Sequence, residues 1–148
     1  MEALLTAVVV WLSTNFSLPA SFDHPRVEFV SAAKMTSLLH RDIGSKQPAE
    51  MPLNQSESNI VSLYNDDQRA IYLLEEWTGK TPAELSILVH EMVHHLQKIG
   101  QLKFECPQAR EEVAYKAQDR WLGLFGHDLS RDFQVDAFTI LVKSKCFF

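Results

Sequence analysis

The chain has 148 residues, of which 46% are hydrophobic and 22% are charged, and its formal net charge is -5. This composition is typical of a globular protein and excludes an intrinsically disordered or collagen-like chain. The length predicts a single domain over residues 1–148. The acidic balance argues against non-specific nucleic-acid binding, which requires a basic surface. No apolar run of the sequence approaches the roughly 20 residues that span a bilayer.

The first apolar segment, Ala3–Leu12, is predicted to be a helix that packs on the core. Its large apolar residues recur at helical spacing. Glu2 is acidic and no basic residue precedes Arg26, whereas a secretory signal peptide carries a positive N-terminal region. An uncleaved signal peptide is the alternative interpretation of this segment.

Alternating apolar residues predict short strands in the next part of the chain, and clusters of Pro, Gly, Asn and Ser predict loops. The predicted elements are a loop over Asn15–Pro25, a strand over Arg26–Val30, a helix over Ala32–His40, a loop over Ile43–Ser58, and a hairpin of Asn59–Tyr64 with Arg69–Leu74. Tyr64 and Tyr72 are expected to pack across the hairpin strands. The alternative is that one of them faces the cleft and stabilises an oxyanion.

Three helices are predicted in the second half of the chain. Thr81 is a suitable N-cap, Pro82 fits the first helical turn and Glu84 completes a capping box, so a helix begins there and ends at Gly100. The other two helices are predicted from about Pro107 to Leu122 and from about Leu129 to Lys143. Strands that precede helices predict an α+β fold, mostly helical, with a three-stranded sheet or a β-hairpin before the capped helix.

Large apolar side chains of the last two helices are predicted to lie in the core, because they recur at helical spacing. They are Trp121, Leu122, Leu124 and Phe125 at the end of the first, and Phe133, Val135, Phe138, Leu141 and Val142 in the second.

The capped helix contains His90-Glu91-x-x-His94, which is the HExxH pattern. Histidines four residues apart lie on one helix face, one turn apart, and can bind one Zn²⁺. Glu91, next to the first histidine, can reach a water on that metal and act as its general base. His95 points away from the pair and is expected at the solvent edge. A histidine-rich helix without a metal is the alternative interpretation.

A catalytic zinc site requires a third protein ligand and an open position. The helix that follows offers Glu111 and Glu112. The two glutamates lie on different helix faces. The face of Glu111 also carries Ala114, Tyr115, Gln118 and Leu122, and the face of Glu112 carries Lys116 and Asp119. The more apolar face is expected to point inward. We therefore predict Glu111 as the third ligand and Glu112 as a solvated residue.

An HExxH helix followed by a Glu on the next helix, with a small residue three positions later, resembles the gluzincin branch of the zincin metallopeptidases. The match covers about Asn59 to Trp121 and rests on His90, Glu91, His94, Glu111 and Ala114. The chain also resembles small bacterial zincin-like proteins that have no assigned substrate. The resemblance implies a zinc-dependent peptidase acting on a peptide or protein, with an edge strand near the metal that binds the substrate in extended form.

The chain departs from thermolysin-like members of that branch at Tyr115. Those enzymes carry an Asp one turn after the third ligand, and this Asp holds a ligand histidine. The Tyr115 hydroxyl is expected to do the same here, and a different arrangement around the ligand is the alternative. His127 is the available candidate for a transition-state-stabilising histidine, although a surface role is preferred for it. A non-catalytic zinc-binding domain that acts as an interaction module is the alternative function.

The two cysteines, Cys106 and Cys146, are predicted to form a disulfide. Closing a loop of about 40 residues would stabilise the fold by on the order of 4 kcal/mol. A disulfide indicates an extracytoplasmic location, periplasmic or secreted. Two free thiols in a cytosolic protein are the alternative.

Overall fold

The computed structural model describes residues 1–41, 49–52 and 60–146. The helices are α1 (Glu2–Phe16), α2 (Ala32–Arg41), α3 (Pro82–Ile99), α4 (Glu111–Gly123), α5 (Leu129–Phe133) and α6 (Ala137–Ser144), and the strands are β1 (Arg26–Val30), β2 (Ala49–Pro52), β3 (Ile60–Asn65) and β4 (Ala70–Leu74). A 3₁₀ helix, Pro107–Arg110, leads directly into α4. The predicted α+β class is confirmed.

The strands form one four-stranded sheet in the order β1–β4–β3–β2. The predicted hairpin is present as the antiparallel pair β3 and β4, while β1 runs parallel to β4 and β2 runs antiparallel to β3. Strand β2 lies within Ile43–Ser58, so the prediction of a loop is wrong for Ala49–Pro52. Pairing with the edge of β3 outweighs the local loop signals there. The rest of that predicted loop lies outside the described residues.

The sheet lies between α2 on one face and α3 on the other. Alternate residues of β3 and β4 face opposite sides, as the pleat requires. Toward α2, Met35 packs with Leu63, Ala70 and Tyr72. The opposite face joins the main core, which includes the apolar residues of α3 and part of α1. Helix α3, which carries the HExxH residues, is therefore covered by the sheet along one side.

Helix α1 packs into the main core, as predicted, through Leu5, Val8, Val9 and Leu12. It contacts both α3 and α4. None of the helices among the described residues combines the length and apolar character needed to cross a lipid bilayer.

Helix α3 begins and ends where the sequence predicts. The Thr81 hydroxyl accepts a hydrogen bond from the Glu84 backbone N–H at 3.1 Å, and the N–H of Gly100 bonds to the last turn of the helix. The Glu84 carboxylate accepts from the backbone N–H groups of Thr78 and Gly79 at 2.6 and 2.7 Å, so it also fixes the preceding loop. The cap at Thr81 therefore fixes where α3 begins, and with it the positions of the HExxH residues along the helix.

In the C-terminal region the sequence predicts one helix whose apolar side chains lie in the core, whereas the structure has two shorter helices, α5 and α6. Gln134 takes a left-handed conformation (φ 55°) that ends α5, and Asp136 caps a separate helix, α6. After this break, the large apolar side chains of α6 face solvent. Leu122, Phe133 and Val135 are buried as predicted, and Trp121 packs partly against the core. The core prediction is wrong for Leu124, Phe125, Phe138, Leu141 and Val142, which are exposed.

The predicted disulfide between Cys106 and Cys146 is present, with a Cα–Cα distance of 5.8 Å. Cys146 follows α6, and Cys106 caps the 3₁₀ helix that leads into Glu111. The bond therefore ties the end of α6 to the segment that carries Glu111.

Reducing this disulfide is expected to lower the melting temperature by about 10 °C. The bond closes a loop of 40 residues, and losing that constraint costs on the order of 4 kcal/mol. Calorimetry with and without a reductant measures the shift. The double variant Cys106→Ser/Cys146→Ser is the control, since its melting temperature should not respond to the reductant. An unchanged melting temperature of the reduced native chain would contradict the stabilising role.

Candidate metal centre

His90, His94 and Glu111 converge at the contact between α3 and α4. The two histidine side chains are fully buried, and their ring centroids lie 5.2 Å apart. Oε1 of Glu111 lies 3.4 Å from Nε2 of His90 and 2.5 Å from Nε2 of His94. Glu112 is exposed and pairs with Lys116 at 2.8 Å. The faces assigned to the two glutamates are thus those seen in the structure.

The histidines around Glu111 favour the ionised form of its carboxyl. Burial raises its pKa, but His94 and His90, when protonated, lower it by more through their charge and their hydrogen bonds to the carboxylate, so the pKa lies well below its usual value. Glu111 is also the first residue of α4, where the helix dipole favours a negative charge. The cluster therefore presents a carboxylate oxygen beside two imidazoles.

Gln97 fixes the tautomer of His94. The Gln97 amide donates through Nε2 to the backbone carbonyl of Arg110 at 3.1 Å, and a carbonyl can only accept. Oε1 of Gln97 must therefore face His94, whose Nδ1 donates to it at 2.9 Å. Arg110 is itself held by a two-point ion pair with Asp66 of the β3–β4 turn, at 2.7 and 2.9 Å. In neutral His94 the lone pair is consequently on Nε2.

Gln118 fixes the tautomer of His90 by the same logic. The Ser86 hydroxyl donates its only proton to the Ala83 carbonyl at 2.7 Å. Ser86 Oγ must therefore accept from Nε2 of Gln118, at 3.2 Å. This orientation leaves Oε1 of Gln118 to accept from Nδ1 of His90 at 2.9 Å. In neutral His90 the lone pair is likewise on Nε2.

The resulting donor set suits a divalent cation. Nε2 of His90 and Nε2 of His94 are buried and have no hydrogen-bond partner in the described structure, and both approach Oε1 of Glu111. One proton can bridge two of these atoms, whereas one metal ion can bind all three. Two imidazole nitrogens and one carboxylate oxygen are ligands that zinc accepts.

Glu91 lies beside this set and is held from the sheet. Its side chain is fully buried, and Oε2 accepts a hydrogen bond from the hydroxyl of Ser62 in β3 at 2.6 Å. One carboxylate oxygen of Glu91 lies within 4.8 Å of a ring nitrogen of His90 and of a ring nitrogen of His94. Glu111 has the oxygen that reaches both Nε2 atoms, and the Glu91 carboxylate lies beside them.

Tyr115 is buried against His90, with ring centroids 4.8 Å apart and planes at 71°. The sequence offers the Tyr115 hydroxyl as a partner of a ligand histidine, but Nδ1 of His90 bonds to Gln118 and Nδ1 of His94 bonds to Gln97. The arrangement is therefore the alternative one. Tyr115 limits the rotation of the ligand ring by packing.

His95 is buried, so its prediction as a solvent-edge residue is wrong. Its Nε2 donates to the Asp23 carbonyl at 2.7 Å, and its Nδ1 accepts from the Tyr64 hydroxyl at 3.0 Å. Burial lowers the pKa of His95, which favours its neutral form. The sheet and the segment before β1 enclose α3 on this side as well. Tyr64 is thereby engaged in the core, and Tyr72 faces α2.

The whole chain, residues 1–148, matches the family model described as "Domain of unknown function (DUF6647)". The chain belongs to this family. No curated protein and no solved structure matches it. A function for this DUF6647 chain is therefore argued from its site.

The DUF6647 site also includes polar residues that sequence reasoning missed, namely Ser62, Gln97 and Gln118. Gln118 and Ser62 carried a weak signal in the sequence. Gln118 lies seven residues after Glu111 on the same helix face, and Ser62 is the only polar residue between Ile60 and Tyr64. Gln118 lies 28 residues from its partner His90, and Ser62 lies 29 residues from its partner Glu91. No local pattern predicts contacts over such separations. His127 is exposed and pairs with Asp132, consistent with the preferred surface role.

Proposed function

We propose that this chain is a zinc-dependent hydrolase, a small metallopeptidase, in which His90, His94 and Glu111 bind Zn²⁺. The observation that carries the proposal is the convergence of two buried imidazole Nε2 atoms on one carboxylate oxygen beside Glu91. When bound, zinc would supply Lewis-acid catalysis, which makes water acidic near neutral pH and polarises a substrate carbonyl.

Glu91 provides the proton transfer in this proposal. It takes a proton from the attacking water as the water oxygen bonds to the carbonyl carbon, and it returns that proton to the leaving amine as the C–N bond breaks. Its burial favours this role, because proton transfer is efficient from a positioned group in a site that excludes bulk water. The substrate class is a peptide or protein.

The Ser62 hydroxyl holds Glu91 in position. A hydrogen bond of 2.6 Å to a carboxylate is of the strong, charge-assisted type. Ser62 stands in β3, which is paired on both sides by β2 and β4, so the donor itself is rigidly placed.

Replacing Ser62 with Ala is expected to lower kcat by about 10–100-fold while zinc content is unchanged. The variant loses one hydrogen bond to a charged group, which is worth about 1.5–3 kcal/mol. Steady-state kinetics and metal analysis of the purified variant measure the two effects. Ser62→Thr is the matched control, since it keeps the hydroxyl and should retain most activity. Equal kcat for the Ala variant and the native chain would contradict this role.

An extracytoplasmic location is part of the proposal. The disulfide between Cys106 and Cys146 is compatible with an oxidising compartment. Free thiol content of the protein isolated from its native compartment tests this point.

The proposed function is tested by measuring zinc per chain in the purified protein and hydrolysis of a peptide library. We expect one zinc per chain, cleavage that stops on treatment with a chelator, and recovery when zinc is returned. A chain that binds zinc but cleaves nothing would overturn the hydrolase and favour a zinc-binding interaction module. A chain without zinc affinity would overturn the metal centre itself.

A further inference from the structure

Two buried glutamines join the two helices that carry the metal ligands. Gln97 extends from α3 to the Arg110 carbonyl at the start of α4, and Gln118 extends from α4 to Ser86 on α3. Their side chains are buried, with 2% and 0% of each residue exposed. Each glutamine also accepts the Nδ1 proton of one histidine ligand. Each therefore contacts a ligand and ties that ligand to the opposite helix.

We propose that Gln97 and Gln118 are positioning residues that set the metal affinity of this site through uncharged hydrogen bonds. This inference rests on the proposed metal centre, although it does not require hydrolase activity. By holding Nδ1 as the donor, the amides keep the Nε2 lone pairs of His90 and His94 aimed at Glu111 before any metal arrives. A partner of the imidazole that fixes its tautomer and orientation typically changes metal affinity by 10–100-fold when it is lost.

The charges of the cluster explain why amides suit these two positions. A bound Zn²⁺ and the carboxylates of Glu91 and Glu111 sum to zero. A carboxylate in place of either glutamine would add a further negative charge to a buried cluster, where an uncompensated charge is costly. Oε1 of Gln97 also lies 3.5 Å from Nε of Arg110, but the charge of Arg110 is already paired with Asp66. An amide oxygen accepts the same N–H without that charge. The structure thus assigns Gln97 and Gln118 to a charge-balanced centre.

Substitutions at Gln118 separate this role from ordinary packing. Gln118→Leu should weaken zinc binding by about 10–100-fold, because His90 loses its orienting acceptor. Gln118→Glu should bind zinc at least as tightly as the native chain, while its zinc-free form should unfold at lower urea concentration. Weaker zinc binding in the Leu variant, together with retained zinc binding and lower zinc-free stability in the Glu variant, is not expected from a residue that only fills space.

The experiment measures zinc affinity by competition with a chromophoric chelator, and urea unfolding of the zinc-free proteins. Gln97→Leu is an independent second variant and should also weaken zinc binding by about 10–100-fold; it decides the question if Gln118→Leu does not fold. Tyr64→Phe is the matched control, since it removes a buried hydrogen bond to His95, next to His94, without touching a ligand. It should lower stability and leave zinc affinity unchanged.

Native zinc affinity in both Leu variants would overturn the inference, as would an equal loss of affinity in Tyr64→Phe. A native chain without zinc affinity would overturn the metal centre and this inference together. A native chain that binds zinc, shows these affinity changes and cleaves no peptide would support the inference and overturn only the hydrolase.

Discussion

Replacing Glu91 with Gln is expected to lower peptide hydrolysis by about 10²–10⁴-fold while the zinc content and the fold are retained. The substitution keeps the shape of the side chain and its acceptor for Ser62, but it removes the group that takes the proton. Because Glu111 has the oxygen that reaches both histidines, loss of the Glu91 carboxylate should not release the metal. Initial rates, zinc per chain and the circular dichroism spectrum measure the three properties.

Glu112→Gln is the control for this substitution, because Glu112 is exposed and pairs only with Lys116 among the described contacts. It should retain native activity. Activity close to native in Glu91→Gln would contradict the proposed general base and favour the interaction module. Loss of zinc in that variant would instead make Glu91 a ligand.

Removing Glu111 is expected to release the metal and the stability that the metal supplies. A ligand that binds only the folded state stabilises it by about 4 kcal/mol when present at 1,000 times its Kd. Glu111→Ala should lose most of this difference between the zinc-loaded and zinc-free forms, and His90→Ala and His94→Ala should do the same. Thermal unfolding with zinc and with a chelator measures the difference.

Glu112→Ala provides the matched comparison, since it removes a carboxylate from the next residue of the same helix. It should keep the zinc-dependent stability of the native chain. If Glu112→Ala strips the metal while Glu111→Ala does not, the assignment of helix faces is wrong.

The HExxH helix and the inward face of Glu111 were predictable because both depend on local geometry. Residues four apart meet on one helix face in any α-helix, and the cap at Thr81 sets where that helix begins. The choice between Glu111 and Glu112 followed from which face of α4 is apolar. Such signals lie within a few residues of the side chains that they position. The disulfide was predictable for a different reason, since the chain has only two cysteines to pair.

Outcomes that depend on distant contacts were not predictable in this way. His95 is buried because the segment before β1 and strand β3 close over α3, and periodicity along α3 alone does not show this enclosure. The break at Gln134 rotates the apolar side chains of α6 toward solvent, although their spacing fits a core helix.

The order of the elements predicts the α+β class, and local spacing and capping predict the helix with His90, Glu91 and His94 and the helix face that carries Glu111. The hydrogen bond from Ser62 to Glu91, and the contact of His90 with Gln118 rather than Tyr115, are seen only in the folded chain. A hydrogen bond between residues far apart in the chain depends on how helices and strands pack. Packing is set by the whole core, so no single segment of the sequence encodes it.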